Sequence, residues 1–113
     1  MSKYSNILGL HVTITIDRPL GSSHPDYPDH YYPVNYGCVE GIIAGDGDDQ
    51  DVYLLGVDVP VDSFQAVVIA VIHRHDDMEE KWVAAPANMS FSKDEIFRLT
   101  YFQERFYHSE IYC

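Results

Sequence analysis

The 113-residue chain is poor in positive charge: seven Lys and Arg side chains stand against 18 Asp and Glu, for a formal net charge of −11. Nucleic-acid binding draws much of its affinity from Lys and Arg contacts with phosphates. The composition therefore argues against a nucleic-acid partner. It favours a ligand that requires cations, with divalent metal attracted by local clusters of carboxylates.

Long apolar runs and cysteine patterns are also lacking. No apolar stretch approaches the roughly 20 residues of a membrane-spanning helix, and no charged-then-apolar leader opens the chain. These absences predict a soluble, cytoplasmic protein without a membrane partner. Cys38 and Cys113 are too few for a disulfide framework, so we expect both to be free thiols.

The length suits one domain that spans residues 1–113, and a hydrophobic content of 46% is enough for a single core. Alternating or continuous apolar segments predict short strands, and turn-rich or charged segments predict the connections between them. The predicted strands cover residues 8–16, 31–43, 52–57, 66–72 and 81–85. The predicted connections include residues 21–30, 45–51 and 73–80.

A capping box at residues 92–95 predicts the start of a helix, because Ser92 and Glu95 can each bond the backbone of the other. Ile96, Leu99 and Phe106 then recur on one face. Several short strands followed by one terminal helix predict a mainly β fold, a small closed barrel with a C-terminal α-helix against it.

Residues 46–51, DGDDQD, place four carboxylates within six positions. Hard divalent cations need oxygen ligands, and a glycine-containing turn lets several carboxylates converge on one point. A solvated acidic hairpin turn is the alternative. An EF-hand loop is excluded, because its sixth position requires Gly and is Asp51, and its twelfth requires Glu and is Val57.

Two further segments add to this pattern. Residues 76–80 form a second acidic cluster ahead of Lys81, and two acidic loops beside barrel strands can face one metal site; a solvated charge run is the alternative. Residues 31–37, YYPVNYG, offer tyrosine hydroxyls to an anionic ligand, although core tyrosines would give the same composition.

These stretches in this order, YPVNYG (32–37), DGDDQD (46–51) and an acidic loop ending in KWVAAP (81–86), resemble the family I soluble inorganic pyrophosphatases. In that family a YPxNYG strand precedes the signature D-G-D-x-x-D, and a later loop supplies aspartates ahead of a lysine. Residues 101–110 resemble the family's terminal helix. The resemblance implies a five-stranded barrel of the oligonucleotide-binding type and Mg²⁺-dependent hydrolysis of inorganic diphosphate to two phosphates.

The resemblance also implies roles for individual side chains. Four carboxylates would bind metal: Asp46, Asp51, Asp76 and Glu79. Asp48 would act as the general base that accepts a proton from the attacking water. Four side chains would contact phosphate oxygens: Arg18, Tyr32, Tyr36 and Lys81. We expect the carboxylates of the two acidic loops, with Asp48, to converge at one mouth of the barrel.

The chain departs from the family pattern on the substrate side. A lysine and two glutamates that the family's N-terminal hairpin supplies have no counterpart, and Phe106-Tyr107 stands where the family has a Tyr-Lys pair. These departures leave open a catalytically weak or inactive relative that binds metal and a phosphate compound in a regulatory role. A nucleic-acid-binding barrel has the right fold type but the wrong charge. A homo-oligomer also remains open.

Overall fold

The computed structural model describes residues 4–45, 47–75 and 79–113, in which six strands and one helix are found. Within these residues no helix is both long and apolar enough to cross a membrane. The elements in chain order are β1 His11–Arg18, β2 Asn35–Ile43, β3 Asp49–Leu54, β4 Ser63–Arg74, β5 Glu80–Ala85, α1 Lys93–Glu104 and β6 Ser109–Tyr112.

Five strands close into a barrel. Their order is β1-β2-β3-β5-β4, and β4 pairs back to β1, which closes the ring. The β3–β5 pair is parallel and the other four pairs of the ring are antiparallel. Strand β6 adds to β4 outside the ring. The predicted class, a five-stranded barrel with a C-terminal helix, is confirmed.

Apolar side chains fill two cores, one on each face of the barrel wall. All five barrel strands contribute to the interior, and its members include Ile14, Val39, Val52, Val68, Trp82 and Ala84. The second core lies between the outer face of β3, β4 and β5 and the covering helix and β6. The strands supply Tyr53, Ala70, Ile72 and Val83, the helix supplies Ile96, and β6 supplies Ile111. Because successive strand residues point to opposite faces, β3, β4 and β5 each contribute side chains to both cores.

The capping box predicted at the start of α1 is present: the Glu95 amide donates to Oγ of Ser92 at 3.2 Å, and the Ser92 amide donates to Oε1 of Glu95 at 2.9 Å. The helix ends at Glu104, earlier than the resemblance over 101–110 implies. Residues 109–112 instead form β6, whose backbone pairs with the β4 residues 71–74. An edge that offers unpaired backbone groups attracts such a strand.

Three strands extend into segments expected to be connections, among them β5, which begins at Glu80. β3 already begins at Asp49, where the backbone pairs with β2, and β4 continues through Arg74. Charged side chains alone do not end a strand whose backbone keeps its partners. His73 illustrates this, since it pairs with Glu80 on one side and with Glu110 on the other.

Gly37 allows β1 and β2 to approach closely. A Cβ atom at this position would lie 1.9 Å from the backbone oxygen of Thr15, too close for any side chain. The packing of the two strands therefore explains the glycine of the YPVNYG stretch without reference to any ligand.

Candidate active site

A cleft of about 880 Å³ lies where β3, β5 and the end of β4 meet the segment after β1 and the end of α1. It brings together six of the nine side chains singled out from the sequence. These are Arg18, Tyr32, Tyr36, Asp51, Glu79 and Lys81. Asp46 and Asp76 lie outside the described residues. Asp48 lies in the turn before β3 and is not among the described residues that line the cleft.

The cleft lies on the outer face of the barrel wall, although we expected the carboxylates at a mouth. Asp51 is two residues before Tyr53 on β3, and Lys81 is two residues before Val83 on β5. Because side chains alternate along a strand, both share the outer face with the core under α1. The parallel pairing of Val52 with Trp82 brings the two strands side by side.

Lys81 is the centre of the charged group. It is 4% exposed, and its Nζ donates to Oδ2 of Asp51 and, at 2.9 Å, to Oε2 of Glu79. The same nitrogen lies 5.8 Å from the centre of the Tyr36 ring. Burial acts to lower the pKa of Lys81, but Tyr36, Asp51 and Glu79 outweigh it and hold the pKa above its ordinary value. The side chain therefore stays charged at neutral pH.

Arg74 lies next to this group and is also buried, with 3% of its surface exposed. Its Nε and Nη2 donate to the two oxygens of Glu104 at 3.0 and 2.6 Å, and its Nη1 donates to Oε2 of Glu79 at 3.1 Å. Its guanidinium carbon lies 3.7 Å from the centre of the Tyr107 ring. Arg74 was not predicted as a site residue, because residues 73–80 were expected to form a connection. The alternation of Ala70, Ile72 and Arg74 could have predicted it, because it places Arg74 on the same face of β4 as the two apolar side chains.

Tyr32 and Tyr36 line the cleft, and the buried Tyr53 packs behind them. The ring of Tyr36 lies 4.9 Å from that of Tyr53 and 5.8 Å from that of Tyr32, measured between centroids. Burial raises the pKa of Tyr36 to about 12, against the opposing charge of Lys81. Burial also raises the pKa of Tyr32, and Arg18 opposes it. Both hydroxyls therefore stay protonated at neutral pH and can donate hydrogen bonds to an anion.

Positive charge is concentrated at this site. Four of the seven Lys and Arg side chains of the chain line the cleft: Arg18, Arg74, Lys81 and Arg105. Carboxylates lie among them, including Asp17, Asp29, Asp51 and Glu79. An acidic chain that places most of its cations in one cleft, interleaved with carboxylates, is suited to an anionic ligand accompanied by a metal ion.

The donor chemistry fits a hard divalent cation. Asp51 and Glu79 offer carboxylate oxygens, which Mg²⁺ prefers, and their side chains are 34% and 29% exposed at the cleft. Lys81 bonds one oxygen of each, and a carboxylate can accept with both oxygens. In the described residues no three side chains of His, Cys, Asp or Glu are close enough to hold a metal. Further ligands would have to come from Asp46 and Asp76, which lie outside them.

Asn35 has a structural role in the YPVNYG stretch. Its side chain is fully buried, its Oδ1 accepts from the Leu20 amide at 2.9 Å, and its Nδ2 donates to the carbonyls of Val57 and Val59 at 3.3 and 3.0 Å. These bonds tie the segments that follow β1 and β3 to β2. The stretch thus supplies two tyrosines to the cleft and two residues, Asn35 and Gly37, to the scaffold beneath it.

A closed barrel with cations, carboxylates and tyrosines in one cleft of its wall defines a protein suited to handling a phosphate compound. Residues 13–108 match the family model described as inorganic pyrophosphatase. The chain therefore belongs to the inorganic pyrophosphatase family, and its enzyme class is that of the hydrolases that act on inorganic diphosphate. No curated protein sequence matches it.

Solved structures with the same fold include bacterial inorganic pyrophosphatases. The one from Ehrlichia chaffeensis has a TM-score of 0.68 and 20% identity, with 91% of this chain and 85% of that chain covered. The one from Coxiella burnetii has a TM-score of 0.63 and 19% identity, with coverages of 92% and 84%. The one from Helicobacter pylori has a TM-score of 0.63 and 19% identity, with coverages of 90% and 82%. At these identities the likeness supports the fold.

Proposed function

We propose that the chain hydrolyses inorganic diphosphate to two phosphates with Mg²⁺ as its cofactor, and that the cleft around Lys81 is the active site. The observation that carries the proposal is the gathering of four of seven cations with Asp51 and Glu79 in one cleft of an acidic protein. Family membership supports the same substrate class.

The metal would be held by carboxylates from the two acidic segments. The candidates are Asp46, Asp51, Asp76 and Glu79. When bound, Mg²⁺ offsets phosphate charge and lowers the pKa of a water molecule. Asp51 on β3 and Glu79, which directly precedes β5, both bond the ammonium group of Lys81, which supports one metal site shared by the two segments.

The other side chains bind the substrate and move the proton. Lys81 and Arg18 offset charge on the phosphate that leaves, and the hydroxyls of Tyr32 and Tyr36 donate to phosphate oxygens. Asp48 accepts the proton of the attacking water as the general base. Its place in the turn directly before β3 puts it three residues from Asp51 along the chain.

The first test compares Asp48→Asn with Asp49→Asn, its exposed neighbour at the start of β3. Both substitutions remove one negative charge from neighbouring positions, but only Asp48→Asn removes the proposed proton acceptor. We expect Asp48→Asn to lower kcat by about 10²–10⁴-fold with Mg²⁺ affinity largely kept, and Asp49→Asn to stay near wild type. Phosphate release with and without Mg²⁺ is the measurement. Equal losses in the two variants would remove the role of Asp48.

A second candidate function is binding of a phosphate compound without turnover. It is favoured by Phe106 and Tyr107, which line the cleft and carry no positive charge, and by the pairing of Lys81 with two carboxylates. Wild-type protein that binds diphosphate in calorimetry but releases no phosphate above the metal-only background would establish this candidate and overturn the first.

A further inference from the structure

Glu104 anchors Arg74 to the helix. Glu104 lies in the last turn of α1 with 6% of its surface exposed, and its two oxygens accept from Nε and Nη2 of Arg74. The Tyr53 hydroxyl donates to Glu104 at 2.6 Å, and Nε2 of Gln103 donates to the Tyr53 hydroxyl at 2.8 Å. Paired, forked contacts of this kind fix the guanidinium plane as well as its position.

Nη1 is the guanidinium nitrogen of Arg74 that Glu104 does not bond. It donates to Oε2 of Glu79, the same oxygen that Lys81 contacts. The Glu79 carboxylate is therefore held from two directions, by Lys81 on β5 and by Arg74 on β4. Without such contacts a long side chain would have to lose its rotamer freedom when it binds a ligand.

From these contacts we propose that Arg74, held by Glu104, is a positioning residue that fixes Glu79 for metal binding and so sets the affinity of the cleft for Mg²⁺. The inference rests on the proposed function, because it takes Glu79 as a metal ligand. Arg74 acts here through Glu79. Loss of a group that orients a metal ligand typically weakens metal binding by roughly 10–100-fold.

The sharpest variant removes both buried charges together. Arg74→Met alone would leave Glu104 buried without its cation, and such a protein is expected to be unstable. The double variant Arg74→Met with Glu104→Gln leaves the net charge unchanged and keeps an acceptor for the Tyr53 hydroxyl. Replacing a buried ion pair by neutral groups of similar size is often tolerated. A change in Mg²⁺ affinity in the double variant can therefore be attributed to the lost contact between Arg74 and Glu79, and not to unfolding or to a change in net charge.

The measurements are the melting temperature, the Mg²⁺ dissociation constant from calorimetry, and kcat and KM as functions of Mg²⁺ concentration. Arg98→Met is the control, since Arg98 is exposed on the same helix. We expect the double variant to melt near wild type, to bind Mg²⁺ about tenfold or more weakly, and to regain much of its kcat at saturating Mg²⁺. Arg98→Met should match wild type in all three.

Wild-type Mg²⁺ affinity in a folded double variant would overturn the inference while leaving the proposed function intact. A wild-type protein that binds Mg²⁺ but releases no phosphate would overturn the proposed function, and the affinity comparison would still decide the role of Arg74. A wild-type protein with no measurable Mg²⁺ binding would overturn the inference as well, because Arg74 would then have no affinity to set.

Discussion

Lys81 combines two properties at the scale of a single residue: it is buried, and it is bonded to two carboxylates before any ligand arrives. An anion at this place must share the ammonium group with Asp51 and Glu79. A metal ion bound to those carboxylates would neutralise part of their negative charge and so leave Lys81 freer to bond the anion. The charges of metal, lysine and phosphate are therefore expected to act together, which favours joint binding of metal and diphosphate.

Replacement of this lysine should weaken binding and turnover together. We expect Lys81→Ala to lower kcat/KM by about 10–100-fold, since a hydrogen bond to a charged group contributes roughly 1.5–3 kcal/mol. KM should rise as kcat falls, because the ammonium group meets phosphate in both the ground state and the transition state. Steady-state kinetics at saturating Mg²⁺ is the measurement. Lys93→Ala, at the exposed start of α1, is the control and should be indistinguishable from wild type.

Cys38 should be slow to react with alkylating reagents. Burial, followed by the nearby charges of Asp17, Asp49 and Asp51, raises the pKa of its thiol to about 11. The reactive thiolate is then only about a thousandth of the population at pH 8. In a Cys113→Ser variant, we expect iodoacetamide labelling to speed up about tenfold for each pH unit between 8 and 10. Fast labelling of Cys38 at pH 8 would contradict this environment.

The sequence predicted some site residues and missed others for a definite reason. Asp51, Glu79, Lys81 and the two tyrosines stand in motifs, so the resemblance named them. Arg74 and Arg105 belong to no motif. Arg74 reaches the cleft because β4 continues two residues beyond Ile72, and Arg105 reaches it because α1 ends beside the barrel wall. A single sequence does not state where an element ends, and that detail decides which long side chains point into a site.

Among the helices and strands, too, some were predictable from the sequence and others were not. Alternation along 8–16 and the capping box at 92–95 are local signals, and both predicted elements are present, although the strand covers His11–Arg18 instead of residues 8–16. The strand β6 depends on the exposed edge of β4, a partner more than thirty residues away along the chain. A short strand that pairs with a distant partner leaves little pattern in its own sequence, so residues 109–110 were expected to be part of a helix.

Close packing of β1 against β2 gives a sharp test at this scale. Gly37→Ala would place a methyl group 1.9 Å from the Thr15 oxygen, and the strands would have to separate. We expect a loss of unfolding free energy of about 3 kcal/mol or more, at the upper end for overpacking. Gly45→Ala is the matched control, because no atom lies within 4 Å of a Cβ there. Urea denaturation of the two variants is the measurement; equal midpoints would contradict the packing of these strands.

The whole molecule carries a net charge of −11, while most of its cations lie in one cleft. Carboxylates elsewhere therefore repel each other with little compensation, and salt of any kind should stabilise the fold slightly. A specific metal site should add to this effect by binding the folded state alone.

We expect millimolar Mg²⁺ to raise the melting temperature by several degrees, since a ligand at 100 times its dissociation constant contributes about 2.7 kcal/mol. The control replaces Mg²⁺ by NaCl of equal ionic strength, which supplies screening without a divalent ligand. Asp51→Asn should reduce the difference between the two salts. Identical melting curves in both salts for the wild type would speak against a magnesium site anywhere on the protein.

The contacts of Glu104 tie the last turn of α1 to the cleft wall through Arg74 and Tyr53, and Gln103 in the same turn also bonds Tyr53. Helix ends are the parts of a fold that open most readily. When this turn opens, Arg74 loses the partner that fixes it, and Glu79 is then held by Lys81 alone. Metal binding is then expected to be weaker while this turn is open, so amide hydrogen exchange in residues 101–105 reports the fraction of time for which the protein has its full metal affinity.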